Sequence, residues 1–218
     1  WLAQRQQLAA LVLEMAEAGH STQGLAATAN EAQVRQALGW QEELWPWERY
    51  RAVVMAAVRA AVPVFGGNLP RQHMTQAQRN PNFDTHLSPA AWQRQQTAVR
   101  EGHCNLLPER LLVPMARIQL ARDQSLALSA LQALQPARTV VLVAGFAHVQ
   151  RQLGIPTWLP PNLEAKVAIA QAGQAQAAIE KEADELYLTP ALPAHDACAE
   201  LRQRWHAPPA GAATPAAD

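Results

Sequence analysis

Unbroken apolar runs and helical periodicities alternate along this chain. Leu8 to Met15 (LAALVLEM), Val62 to Phe65 and Val140 to Ala144 are short and continuous, and the last is rich in β-branched side chains. Runs of that kind predict strands of a parallel sheet, and Val140–Ala144 suits a strand covered on both faces. Glu31 to Leu38 predicts a short helix that Gly39 stops. Pro46 starts another, running to about Ala61, with Trp47, Tyr50, Val54, Ala57, Val58 and Ala61 on one face. Trp1 to Gln7 reads as the tail of a helix. A further helix is predicted from Pro89 to Glu101, and a long one from about Pro114 to Leu134. Two more short strands, Ala165 to Ala170 and Glu185 to Leu188, surround a helix from about Gly173 to Ala183. A last helix spans roughly Ala194 to Trp205, and His206 to Asp218 has the composition of a disordered tail.

Strands alternating with helices predict an α/β fold: a mostly parallel central sheet flanked by helices, with a helical subdomain or lid. Residues 1–205 read as a single domain with helical insertions at about 20–50 and 72–112, and 206–218 as the tail. The chain of 218 residues, 49% hydrophobic, is long enough to bury one sizeable core. Lys and Arg number 18 against 18 Asp and Glu, which removes any general electrostatic argument for nucleic acid or an anionic membrane as partner. No apolar run approaches the ~20 residues of a spanning helix. The chain opens on Trp1 rather than Met, so a processed amino terminus is expected. Cys104 and Cys198 have no metal-ligand spacing. They are either inert buried thiols or one disulfide, and the disulfide is the preferred reading.

Candidate chemistry gathers where the apolar runs stop. Glu14 ends the first run, where a carboxylate needs a partner or water. The second runs into Gly66-Gly67-Asn68-Leu69-Pro70-Arg71, in which two glycines permit close approach and Asn68 and Arg71 offer directed hydrogen bonds. The third breaks at Gly145, placing His148 in the first turn of a helix at the carboxyl edge of the sheet; there the helix dipole favours a neutral imidazole able to bind a metal or a carboxylate. On the long helix Leu111, Met115, Ile118, Arg122 and Ser125 form a stripe, so Arg122 needs a carboxylate or an edge. Asp123 points away from its neighbour, and a distant partner is expected. Tyr50, in the first turn of its helix, faces the same edge or packs as an ordinary core tyrosine. His73, His86 and His103 show no ligand spacing and read as solvated.

Six motifs occur in an order that resembles the ChaN-like haem-binding uptake lipoproteins, which belong with the TraB, Tiki and erythromycin-esterase proteins. They are VLEM (Val12 to Met15), the ALGW and WPWERY run, GGNLPR (Gly66 to Arg71), GHCNLLPE (Gly102 to Glu109), LARD (Leu120 to Asp123) and VAGFAHVQRQLGIP (Val143 to Pro156). The resemblance covers most of residues 1–205. It implies an α/β fold with a helical subdomain, and a periplasmic lipoprotein of the outer membrane that assists haem or iron uptake without catalysis. Haem would be the cofactor, held between two protomers of a homodimer, with an outer-membrane haem receptor as possible partner. A tyrosine would ligate the iron: Tyr50 fits the motif position, and Tyr187 is the reserve. Arg71, His103 and Arg122 would serve the propionates, with Asn68, Glu14 and His148 in the pocket. The family opens with a strand ending in a G-E-x-H-D-like motif, and this chain begins after that point; the lipoprotein cysteine would also lie upstream. The alternative within the same superfamily is a metal-dependent hydrolase of the TraB/Tiki type using Glu14 and His148. A plain partner-binding domain would need no ligand at all.

Overall fold

The computed structural model describes residues 1–193 and 196–206. A three-stranded parallel sheet in the order β2-β1-β3 lies at its centre, built from β1 (Leu8–Glu17), β2 (Val64–Asn68) and β3 (Thr139–Val143). Leu11 pairs with Val64 on one side and Val141 on the other, and Leu13 with Gly66 and Val143. The inner strand is therefore β1, whose residues from Ala9 to Ala16 are all buried, and not the Val140–Ala144 run. In β3 Thr139 is exposed and the other four residues are only partly buried. Apolar content alone could not order these strands, because either one can be covered on both faces. Residues 2–6 form turns instead of the expected helical tail. Gln6 adopts a φ of +56°, which no α-helix accommodates, and Gln7 O accepts from Thr139 N–H at 2.7 Å as the chain enters the sheet.

Helix α1 (Glu31–Ala37) begins at a capping box in which the Asn30 and Gln33 side chains each accept from the other's backbone N–H, and it ends before Gly39 at φ +56°. The single helix expected after Pro46 is split. A 3-10 turn (Trp47–Arg49) and α2 (Arg51–Arg59) meet at Tyr50, which caps both at φ −117°. Trp47, Val54, Ala57 and Val58 are buried as the period predicts, whereas Ala61 turns out of the helix at φ +55°. One core unites this face with Leu11, Leu13, Met15 and Val64. Strand β2 starts later than expected and carries Gly66 and Gly67 inside it, so these glycines serve contact within the sheet.

The stretch from Arg71 to Pro108 is more regular than its composition implies. A 3-10 turn (Arg71–His73), α3 (Met74–Arg79), another 3-10 turn (Pro81–Thr85) and α4 (Pro89–Gly102) follow in order, with Ser88 capping α4. Helix α5 (Glu109–Gln132) then crosses the sheet, contacting β1, β2 and β3 on one side and α3 and α4 on another. Because it is covered on two sides, its apolar residues spread round the axis and give no single clean stripe. Leu112, Ala116, Leu120, Asp123 and Ala127 are buried; Leu111 of the expected stripe is exposed. Adjacent residues differ by about 100°, and that rotation turns Asp123 inward.

After α6 (Phe146–Val149) and a 3-10 turn (Ile155–Trp158), β4 (Ala168–Ala172) and β5 (Glu185–Thr189) pair in parallel as a separate two-stranded sheet, joined through α7 (Ala177–Glu180). Helix α8 (Ala197–His206) follows, and a disulfide links its Cys198 to Cys104 in the α4–α5 turn. The expected tail after His206 lies outside the described residues.

Candidate functional site

Along β1 side chains alternate between faces, and Glu14 shares its face with Val12, which packs beside Leu126 of α5 around Gly67. The carboxylate therefore points at α5 rather than at the Trp47 core. There it meets His148, which the strand–Gly145–α6 sequence brings in from the neighbouring β3. Glu14 Oε2 accepts from the Gly145 N–H at 2.6 Å, and its Oε1 lies 3.4 Å from His148 Nε2. The other ring nitrogen, Nδ1, bonds to Asp123 Oδ1 at 2.6 Å. All three side chains are buried, Asp123 most of all at 2% exposure. The chain then returns tightly over the histidine. A Cβ at Gly154 would stand 2.1 Å from the His148 carbonyl oxygen, so only glycine fits.

Electrostatics fix the protonation of this cluster. Burial disfavours a charged imidazole, but the hydrogen bonds to Asp123 and Glu14 and their charges outweigh it, raising the His148 pKa to about 9. The ring is an imidazolium donating from both nitrogens. That corrects the expectation of a neutral imidazole, because two carboxylates at bonding distance overwhelm the weak dipole of a four-residue helix. The carboxylates differ from each other. Desolvation pushes Asp123 up to about 6 against the pull of His148. At Glu14 burial acts in the same upward direction, yet the His148 bond and charge, the Gly145 N–H and the Arg122 charge together hold its pKa below the usual value.

Arg122 completes the cluster at longer range, its charge lowering both carboxylate pKa values while its Nε is buried without a hydrogen-bond partner. A raised His148 pKa means stabilisation that is complete below its ordinary 6.5 and lost as the pH rises through about 9. Unfolding followed from pH 7 to pH 10 should therefore show about 3 kcal/mol of stability disappearing. His148→Gln should flatten that limb, and an equally steep limb in the variant would assign it to other groups.

Of the residues singled out in the sequence, Glu14, Arg122 and His148 are brought together. Asn68 stands beside them, its side-chain N–H donating to the Glu14 carbonyl at 2.9 Å, with Oδ1 buried and unpartnered. Arg71 is exposed just beyond β2, its backbone N–H bonded to Glu17 at 3.1 Å. His103 ends α4, where its Nδ1 meets the Val99 carbonyl at 2.7 Å. That position is set by the start of α5, some fourteen residues and about 21 Å of helix from Asp123. His73 is exposed, as expected, but His86 stacks on Trp158 at 3.4 Å and bonds to Thr157 at 2.9 Å instead of being solvated.

Asp123 is the residue that sequence reasoning passed over. The signal was present in the LARD motif, yet only the rotation of α5 shows which of Arg122 and Asp123 turns inward. Among the described residues no group of three or more His, Cys, Asp and Glu is arranged to hold a metal ion.

Tyr50 occupies the other face of the sheet. Helix α2 leads back into the parallel strand β2, so its first turn lies at the carboxyl edge, where ligands of such sheets bind. The ring is partly buried, 5.7 Å from Trp40 and 6.1 Å from Trp45, and Trp40 in turn meets Trp47 edge-on at 4.8 Å. Burial raises the phenol pKa, and the Glu14 charge adds to that while Arg49 opposes it. Tyr187 sits on β5, exposed, with its hydroxyl donating to Glu185.

The model of the family described as haem-binding uptake, Tiki superfamily, ChaN, matches residues 1–159. Among solved structures the chain is similar to one described as cofacial heme binding to ChaN of Campylobacter jejuni. The identity is 19% and the TM-score 0.63, over 80% of this chain and 72% of that one, a likeness that speaks for the fold. No curated protein matches. The matched segment holds the whole parallel sheet, the Trp–Tyr50 cluster and the Glu14–His148–Asp123 network, and this chain belongs to the ChaN haem-binding uptake family of the Tiki superfamily.

Proposed function

We propose that the protein binds haem through Tyr50 and serves haem or iron uptake, as a binding protein without turnover. The observation that carries this reading is the setting of Tyr50: a partly buried phenol among Trp40, Trp45 and Trp47, at the edge of the sheet where ligands bind. A flat apolar macrocycle needs such aromatic surface, and ferric iron accepts a phenolate ligand. Tyr187 fits less well, because its hydroxyl is already engaged by Glu185 on an exposed strand. Exposed Arg71 supplies a cation for a propionate. His103 would serve a propionate from a second protomer, in keeping with the cofacial heme binding described for the Campylobacter jejuni protein.

In this reading the working form is a homodimer on haem, placed on the periplasmic side of the outer membrane as a lipoprotein and partnered by a haem receptor. The hydrolase alternative is weaker, since His148 would have to give up a proton held between two carboxylates before its nitrogen could ligate a metal.

Titrating the protein with hemin should produce a tyrosinate-type absorption spectrum. Tyr50→Phe is expected to abolish it, with affinity falling at least about tenfold, while Tyr187→Phe leaves it in place. Loss of the spectrum in Tyr187→Phe alone would reverse the assignment, and no spectrum with the unaltered protein would reject haem binding by this chain.

A further inference from the structure

The four apolar core clusters draw all their members from residues up to Leu159. Beyond that point β4, β5 and α8 contribute no described side chain to any of them, and the family model ends at the same residue. Ile169 and Gln171, on one face of β4, are buried, but neither belongs to a core cluster. Two-stranded sheets are marginal alone, and parallel ones normally need cover on both faces. Here Tyr187 and Leu188, adjacent on β5 and so on opposite faces, are both 57% exposed. Among the described residues, then, no shared apolar core holds this section in place.

Among the described residues, Arg151 and a disulfide reach across between this section and the first 159 residues. Arg151 bonds to Asp184 at 2.6 Å through its guanidinium and to Glu182 at 2.7 Å through its backbone N–H. The ion pair is exposed on both sides, at 39% and 38%, so solvent and salt screen it and it contributes little. The second link is covalent. Cys198 on α8 is bonded to Cys104, whose φ of +56°, with Asn105 at +59°, forms the tight turn between α4 and α5. That turn joins α4 directly to α5, so the tether is based on two helices of the first domain.

We propose that the Cys104–Cys198 disulfide is a clasp holding an appended C-terminal module, residues 160–206, on a domain of residues 1–159 that stands without it. Reduction by a dithiol would open the clasp: the S–S bond breaks, each cysteine leaves as a thiol with one of the two electrons and two protons supplied, and the dithiol closes to its own disulfide. The described contacts back to the first domain are then the exposed Arg151 links, and β4 and β5 lose order while the three-stranded sheet does not. This inference is independent of haem.

Backbone hydrogen exchange read by mass spectrometry tests it on the full chain, before and after dithiothreitol. Amides in β4 and β5 should exchange at least about tenfold faster in the reduced protein while those of β1 keep their rates. The main thermal transition should move by less than about 2 °C. The Cys104→Ser/Cys198→Ser double variant should behave the same way without reductant. Faster exchange in β1 alongside β5 would mean that the disulfide stabilises one cooperative unit, and unchanged exchange in β5 would mean that the module holds itself in place. Either result overturns the proposal.

Discussion

Replacing His148 by alanine is expected to destabilise the protein by about 3–5 kcal/mol, a large part of the stability of an ordinary domain. The imidazolium bridges two carboxylates, at 2.6 Å from Asp123 and 3.4 Å from Glu14, and all three groups are buried. Without it two acids face each other across a cavity, with Arg122 beyond bonding distance as the nearest cation. Burial already pushes one of them, Asp123, up to about 6, and without the imidazolium it would take up a proton near neutrality. A companion variant separates charge from packing. Glu14→Gln, Asp123→Asn and His148→Gln together remove all three fully buried charges and should cost less than His148→Ala alone, since a removed ion pair is far cheaper than a broken one. Urea unfolding with an unchanged slope checks both. A His148→Ala loss below about 1 kcal/mol would show that the network is solvated and not the buried ion cluster described above.

The second large effect is expected at Gly66. Strand β1 bulges between Leu13 and Glu17 against β2, and this closes the two backbones on each other. A Cβ on Gly66 would stand 2.1 Å from the Glu17 carbonyl oxygen, 2.7 Å from its carbon and 2.9 Å from the carbon of Ala16. All three are backbone atoms of the central strand, so no rotamer change relieves the overlap, and Gly66→Ala should cost about 3 kcal/mol or more or prevent folding. Gly67 offers the control. Its Cβ would meet the ends of Val12 and Leu126 at 2.7 and 2.9 Å, side-chain atoms that can move. Gly67→Ala should therefore fall in the ordinary overpacking range of about 1–3 kcal/mol. Denaturation midpoints must rank Gly67→Ala above Gly66→Ala; the reverse order would place the bulge elsewhere.

Both expectations concern residues visible in the sequence, but for different reasons than the sequence offered. Gly66 and Gly67 read as a turn permitting close approach, and they proved to lie inside β2, where Gly66 meets the β1 backbone and Gly67 meets Val12 and, from α5, Leu126. Glu14 and His148 were legible because each ends an apolar run with a group that cannot stay alone. Asp123 was not, since its burial depends on how α5 is rotated between the sheet and α3 and α4. The charge of His148 was misread for a related cause: the dipole of its own helix is a local property, whereas the two carboxylates arrive from elements 134 and 25 residues away. Tyr50 lay between these cases. Its place at the start of the helix was legible, but the break between the 3-10 turn and α2 that it caps was not.

What the sequence determined by itself was local: the strand runs, the helix starts at Glu31 and Pro89, the Gly39 stop, the turn from β3 through Gly145 to His148, and the ordered motifs that carry the family likeness. Tertiary structure alone decided which strand lies inside, which neighbour on α5 faces inward, and that β4 and β5 stand apart from the main sheet. Backbone and turn preferences act over a few residues and leave their mark in the order of the chain. Strand order, helix rotation and the charge state of a buried cluster depend on groups brought together from distant positions, and those meet only when the chain has packed.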